Sequence, residues 1–166
     1  MKKLNVLISA YFVTRCKQYS TIETKIRVDA MTEQYNQNYT QEEIDVILQK
    51  IKDCVNDNRY TISQNENRQE NIQFINEYRL DSSKQKHILL SIKALDFCHS
   101  LNNINPGFKH EILYVFCPQR TLFNALGEEE LFDMYTKFNI IEYGDNKRVI
   151  AVSFHKRNKP IGYLFR

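Results

Sequence analysis

The sequence predicts an α+β fold in which helices pack on one face of a small antiparallel sheet. Two observations predict it. Up to Leu101 the apolar residues recur at helical spacing behind capping residues, whereas beyond it they fall in runs rich in β-branched and aromatic side chains, separated by turn residues. Helices grouped ahead of strands, instead of alternating with them, indicate segregated layers and an antiparallel sheet.

The first helix is expected over residues 41–55. Thr40 and Glu43 form a capping box, in which each side chain satisfies a backbone N–H of the other, and Ile44, Ile47, Leu48, Ile51 and Val55 make one apolar face until Asn56-Asp57-Asn58 ends it. Arg59 to Ser63 reads as a short extended piece. Asn67 with Glu70 then caps a second helix with Ile72, Ile75 and Tyr78 inward. Asp81-Ser82-Ser83 caps a third, with Ile88, Leu89 and Ile92 inward and Leu95 as a further core candidate. Asn102 to His110, with Pro106-Gly107 at its middle, is a loop. The strands are Ile112 to Cys117, Leu131 to Ile141 and Arg148 to Lys156, separated by Pro118 to Gly127 and by Gly144-Asp145-Asn146. Together they make an antiparallel meander.

A chain of 166 residues fits one domain, expected over residues 40–166, with an N-terminal extension over 1–39. No apolar run approaches the ~20 residues that span a bilayer, so no membrane partner is expected. The net charge of +3 is unevenly spread. Lys2, Lys3, Arg15, Lys17, Lys25 and Arg27 outweigh Glu23 and Asp29 at the start, the middle is near neutral, and Lys147, Arg148, Lys156, Arg157, Lys159 and Arg166 close the chain with no acid among them. That last cluster is either a phosphate-binding surface or an ordinary solvated face.

Lys2 and Lys3 ahead of an apolar stretch from Leu4 to Val13 imitate a secretion signal, but the cleavage pattern is poor. Met31, which opens a polar stretch, is a second candidate initiator, and residues 4–13 are alternatively an extra strand. Cys16, Cys54, Cys98 and Cys117 form no C-x-x-C pair and no zinc spacing with the histidines, so neither metal nor cofactor is expected. Unpaired cysteines suit a reducing cytoplasm, where Cys54 and Cys117 read as small buried apolar groups.

Alternation along the strands separates two faces. Phe132, Met134, Phe138 and Ile140 point to the core, and Asp133, Tyr135, Lys137 and Asn139 point the other way. In the last strand Ile150, Val152 and Phe154 are assigned to the apolar face and Ala151, Ser153, His155 and Arg157 to the opposite one. Tyr135 and His155 then share an open face whose small neighbours leave room for a ligand, or one that is merely solvated.

The run Ile88-Leu89-Leu90-Ser91-Ile92, Leu95-Asp96-Phe97-Cys98-His99-Ser100, Val115-Phe116-Cys117-Pro118, Met134-Tyr135-Thr136-Lys137 and Ile150-Ala151-Val152-Ser153-Phe154-His155-Lys156 resembles the MqsR family of toxin–antitoxin mRNA interferases. The resemblance covers roughly residues 44–157, leaving residues 1–39 and the Ile161 to Arg166 tail unmatched. It implies a RelE-like fold, metal-independent cleavage of single-stranded mRNA, and a cognate antitoxin protein as partner. It also implies a site: the family's lysine after Asp-Phe-x falls at His99, its tyrosine at Tyr135, and its final lysine at His155 with Lys156 beside it. The family's glutamine falls near Leu113 or Tyr114, so that contact is lost or moved.

The substitutions make chemical sense. Cleaving RNA without metal needs a base for the 2′-OH, charge stabilisation at phosphorus and an acid for the 5′-oxygen. Histidine titrates nearer neutrality than lysine, so His99 and His155 are the expected base and acid, in unassigned order. Tyr135 is expected to orient a base or phosphate, while Lys137, Lys156 and Arg157 bind phosphates. Two weaker constellations stand beside this one. Cys98 next to His99 invites a thiol reading, which adjacent strand positions disfavour. Phe108, Lys109 and His110 either clamp a single-stranded base or form a plain loop tip. The competing function is a non-catalytic protein-binding module or decayed toxin homologue, favoured by the neutral body and the missing glutamine.

Overall fold

A computed structural model describes residues 35–144 and 146–166. The expectations for Met31, for Cys16 and for a leader or strand over 4–13 lie outside the described residues. By internal contacts the chain divides into two units, Met1–Tyr35 and Asn36–Arg166, and the second is the α+β domain. Its described residues hold three α-helices and a mostly antiparallel seven-stranded sheet. No described helix is long and apolar enough to cross a membrane.

Helix α1 (Gln41–Asn56) starts at the expected capping box: Thr40 Oγ1 accepts from Glu43 N at 3.2 Å, and Glu43 Oε2 accepts from Thr40 N at 2.8 Å. It buries Ile44, Leu48, Ile51, Cys54 and Val55. Helix α2 (Gln69–Glu77) departs from expectation. A 3₁₀ turn over Glu66–Arg68, capped by Asn65 instead of Asn67, precedes it and shifts its inward face to Asn71, Phe74 and Ile75, leaving Ile72 only half-buried. Tyr78, just past its end, is buried as expected. Helix α3 (Ser82–Leu90) begins at Asp81, whose carboxylate accepts from Lys84 N at 2.8 Å, and it buries Ile88 and Leu89. Ile92 is fully buried beyond the helix end, but Leu95 is exposed on a 3₁₀ turn over Ala94–Asp96.

The strands are β1 (Tyr35–Asn36), β2 (Tyr60–Ile62), β3 (Phe97–Asn102), β4 (Ile112–Phe116), β5 (Gln119–Phe123), β6 (Glu129–Tyr143) and β7 (Asn146–Lys156). Their order is β1-β3-β4-β6-β7-β2, with β5 also on β6. The expected meander is present as β4, β6 and β7, all antiparallel. Three elements correct the reading: β3 occupies a stretch assigned to no strand, β5 lies inside the expected 118–127 loop, and β2 pairs with β7 in parallel. Strands β4 and β5 are two halves of one hairpin arm, since both pair with β6 and the pairing resumes in phase from Phe116↔Thr136 to Gln119↔Asp133. Pro118 has no N–H for the ladder, which accounts for the break.

A bulge corrects the faces of β7. Pairing with β6 jumps from Lys137↔Ser153 to Phe138↔Ala151, so Val152 is the extra residue. One inserted residue inverts the alternation. Val149, Ala151 and Phe154 are therefore the buried apolar residues, while Ile150 and Val152 are only partly covered.

Beyond the reach of β2, the edge of β7 is closed by a side chain. Phe154 N donates to Asn71 Oδ1 at 2.8 Å, and Asn71 Nδ2 donates to Ser63 O at 2.7 Å and to Val152 O at 3.3 Å. Asn71 is 1% exposed, so its amide substitutes for a neighbouring strand in a dry setting. Asn71→Ala strands a buried N–H and carbonyl and is expected to cost ~2–3 kcal/mol in denaturant unfolding. Ile72→Ala on the same helix should cost clearly less.

Candidate functional site

Directly paired residues share a face of the sheet. One row reads His99↔Val115↔Lys137↔Ser153 across β3, β4, β6 and β7. Beside it stands the pair Tyr135↔His155, and on its other side the row Leu101↔Leu113↔Asn139↔Ile150. The intervening rows carry the fully buried Phe97, Phe116, Phe138 and Phe154 to the opposite, helix-covered face. His99, Tyr135, Lys137 and His155 therefore come together on one face. His99 and Lys137 are two strand spacings apart, about 10 Å between backbones, and His155 lies on the strand beyond Lys137.

This face is less open than the alternation implied. Val115, Cys98 and Cys117 are buried under Ile161 and Tyr163 of the C-terminal tail. The tail is tied down where Tyr163 Oη donates to Cys117 O at 2.8 Å, Leu164 N donates to Phe97 O at 3.0 Å, and the Arg166 guanidinium meets the Asp96 carboxylate. His99, Tyr135 and Lys137 are half-buried, and His155 is 8% exposed.

The setting fixes the charge of His99. Burial, reinforced by the nearby Lys137 ammonium, pushes its pKa down to about 4, so the imidazole is neutral at physiological pH. Lys137 is itself shifted down by burial and by Arg68. His155 is held at both nitrogens: Nδ1 lies 2.8 Å from Lys156 O, which can only accept, and Nε2 lies 3.3 Å from Glu70 Oε2. With Nδ1–H already donating, the contact to Glu70 is a hydrogen bond only when Nε2 also carries a proton. The His155 ring packs against Tyr135 with centroids 5.5 Å apart.

Lys156 and Arg157 are placed differently from Lys137. Lys156 Nζ contacts Glu130 Oε2 at 2.8 Å and Glu77 Oε1 at 3.0 Å, and lies over the Tyr78 ring at 4.9 Å. Burial opposes its charge, but hydrogen bonds with Glu130, Tyr78 and Glu77 outweigh that and raise its pKa. Arg157 grips Asp133 through Nη2 at 2.9 Å and Nε at 3.1 Å. Both side chains thus fasten β6 to β7 and its surroundings.

Asn139 was legible only as an outward polar residue, yet it bears on the site. It is 6% exposed and donates through Nδ2 to Glu111 Oε2 at 2.7 Å. Its buried Oδ1 has no hydrogen-bond partner among the described residues. Cys98 is no nucleophile candidate: it is fully buried, and its contact with Cys117 together with burial drives its pKa up, against thiolate formation. Cys54 and Cys117 are buried, as expected. Among the described residues no three His, Cys, Asp or Glu side chains are grouped to hold a metal ion.

Compared with known proteins, the chain matches no family model, no curated sequence and no solved structure.

Two groups should shape stability in acid. His99 has a folded-state pKa of about 4 against an ordinary 6.5, so the unfolded chain takes up its proton first and stability falls as pH drops from 6.5 to 4. Glu130 is held at about 2 against an ordinary 4.5, chiefly by hydrogen bonds from Lys156, Asn124 and Tyr78. Its contribution is full above 4.5 and is lost as pH falls toward 2. Melting temperatures measured from pH 7 to pH 2 should fall in two stages, with His99→Gln flattening the upper stage and Glu130→Gln the lower.

Proposed function

We propose that this chain is a metal-independent endoribonuclease for single-stranded mRNA, built on a RelE-like plan of the MqsR type and neutralised by a cognate antitoxin. The observation that carries the reading is the gathering of His99, Lys137 and Tyr135 on one sheet face, with His99 neutral beside a cation. A neutral imidazole can accept the 2′-OH proton, and the Lys137 ammonium offsets charge building on the phosphate. The 2′-oxygen attacks phosphorus, the bond to the 5′-oxygen breaks, and a proton must reach that leaving group. His155, which stands beside Tyr135 on the same face, is assigned this last task. The products are a 2′,3′-cyclic phosphate and a 5′-hydroxyl, with the proton passed from His155 to the leaving oxygen.

The resemblance adds support at one more position. The family's glutamine falls near Leu113 or Tyr114; if it is at Leu113, the cross-strand partner is Asn139, which brings a carboxamide into the same row, whereas the partner of Tyr114 is the core residue Phe138. A cytoplasmic location is part of the same reading.

The second reading, a non-catalytic binding module, is favoured by the ion pairs that occupy Lys156 and Arg157 and by the engagement of both His155 nitrogens. Cleavage of a single-stranded RNA by the purified chain decides between them. The first reading expects cleavage that survives chelators, and loss on the order of 10²–10⁴ in rate for His99→Ala and for His155→Ala with circular dichroism unchanged. It also expects the acid limb of kcat/KM set by His99 near pH 4 and not near neutrality. RNA left intact by the folded chain favours the module. Cleavage undiminished in both histidine variants overturns the mechanism.

A further inference from the structure

Cys98 and Cys117 are both fully buried and make up, with Val115, a small apolar cluster on the His99 face of the sheet. Cys117 follows Phe116, so alternation turns it away from the helices. Cys98 is where β3 and β4 shift register, between Phe97↔Phe116 and His99↔Val115, and as the inserted residue it turns the same way. One carbonyl ties the two together: Asp96 O accepts from Cys117 N at 2.7 Å and from the Cys98 thiol at 3.5 Å. The two thiols are also hydrogen-bonded to each other. Adjacent strands lie about 5 Å apart, within the reach of a disulfide.

The pair is asymmetric. Its hydrogen bond keeps the proton on Cys98, whose pKa is raised by that bond and by burial, and lowers the pKa of Cys117 against the effect of burial, with the Tyr163 hydroxyl adding to the lowering. Thiolate character therefore belongs to Cys117, and the thiolate is the reactive form of cysteine. Cys54 is unlike either: it lies in the main core on α1, where burial raises its pKa. The cover over the pair is the end of the chain, Ile161 and Tyr163. Its last anchor is the ion pair of Arg166 with Asp96, in which the arginine side chain is 40% exposed, so the cover is fastened from the water side.

We propose that Cys98 and Cys117 are a redox-active dithiol, which hydrogen peroxide converts to an intrachain disulfide. The Cys117 thiolate attacks one peroxide oxygen and the O–O bond breaks. The hydroxide released takes up the proton that Cys117 gave up on ionising, and Cys117 is left as a sulfenic acid. The Cys98 sulfur then attacks the Cys117 sulfur, the S–O bond breaks, and the departing hydroxide leaves as water with the Cys98 proton. Two thiols are thereby oxidised by two electrons, and one peroxide is reduced to two waters. The new bond fastens the bulge of β3 to the end of β4. The inference stands apart from the nuclease reading and involves no RNA.

The test treats the reduced full chain with hydrogen peroxide, blocks the remaining thiols in denaturant and maps the peptides by mass spectrometry. A cross-link joining Cys98 to Cys117 is expected, reversed by dithiothreitol, with Cys54 still a thiol. Cys98→Ser should stop the reaction at a Cys117 sulfenic acid that dimedone captures, and Cys117→Ser should leave Cys98 unmodified. Arg166→Ala, which frees the cover, should speed cross-linking several-fold with the circular dichroism spectrum unchanged, a readout that a mere packing role for the cysteines would not move. The wild-type map depends on no variant folding. Survival of both thiols in the folded chain, a cross-link from either cysteine to Cys16 or Cys54, or oxidation seen only in denaturant would each overturn the assignment.

Discussion

Strand β6 is paired along nearly its whole length, to β4 and β5 on one edge and to β7 on the other, and the register with β7 decides what every residue on the far face can meet. Had the pairing run straight past Val152, the side chains on one side of the irregularity would exchange faces. Phe154 and His155 could not then stand respectively inside the core and next to Tyr135. A bulge costs local ladder hydrogen bonds, and Asn71 compensates by supplying an acceptor and a donor just there. Core and candidate site are thus adjusted by the same inserted residue.

The cations illustrate how environment divides one residue type into two roles. Lys156 meets two carboxylates and two aromatic faces, an arrangement that holds its proton firmly and leaves it little to offer a ligand. Lys137 sits half-buried with burial and Arg68 working against its charge, so an incoming phosphate would relieve an existing electrostatic cost. Burial, reinforced by Lys137, in turn keeps His99 unprotonated. Charge count along the sequence could not make that distinction, because Glu77 and Glu130 are remote from Lys156 in the chain and close only after folding.

What was legible in the sequence was whatever local chemistry dictates. The Thr40–Glu43 box, the Asp81 cap and the period-two face of Tyr135 and Lys137 follow from a few neighbouring residues. Strand β3 was hidden because its register shifts at Cys98, which spoils the alternation, and β5 because its outward positions Gln119 and Thr121 are polar and it sits between turn residues. His99 entered the site through family resemblance and not through any pattern of its own. The covering tail was illegible for the same reason as the parallel strand: both depend on contacts between distant segments.

The parallel pairing of β2 with β7 joins Tyr60 to Val149 and leaves the helical layer and the hairpins to be threaded between. Arg59 reaches Lys147 O across 88 positions of chain. Strands β3 to β7, by contrast, assemble through neighbouring antiparallel pairings, which close short loops and form quickly. Folding should therefore pass through a sheet that is already complete except at its β7 edge, with β2 and the Asn71 clamp arriving late. During that interval the edge is a bare template for other chains, and the rate at which α2 docks sets how much protein is lost to aggregation before the native sheet is sealed.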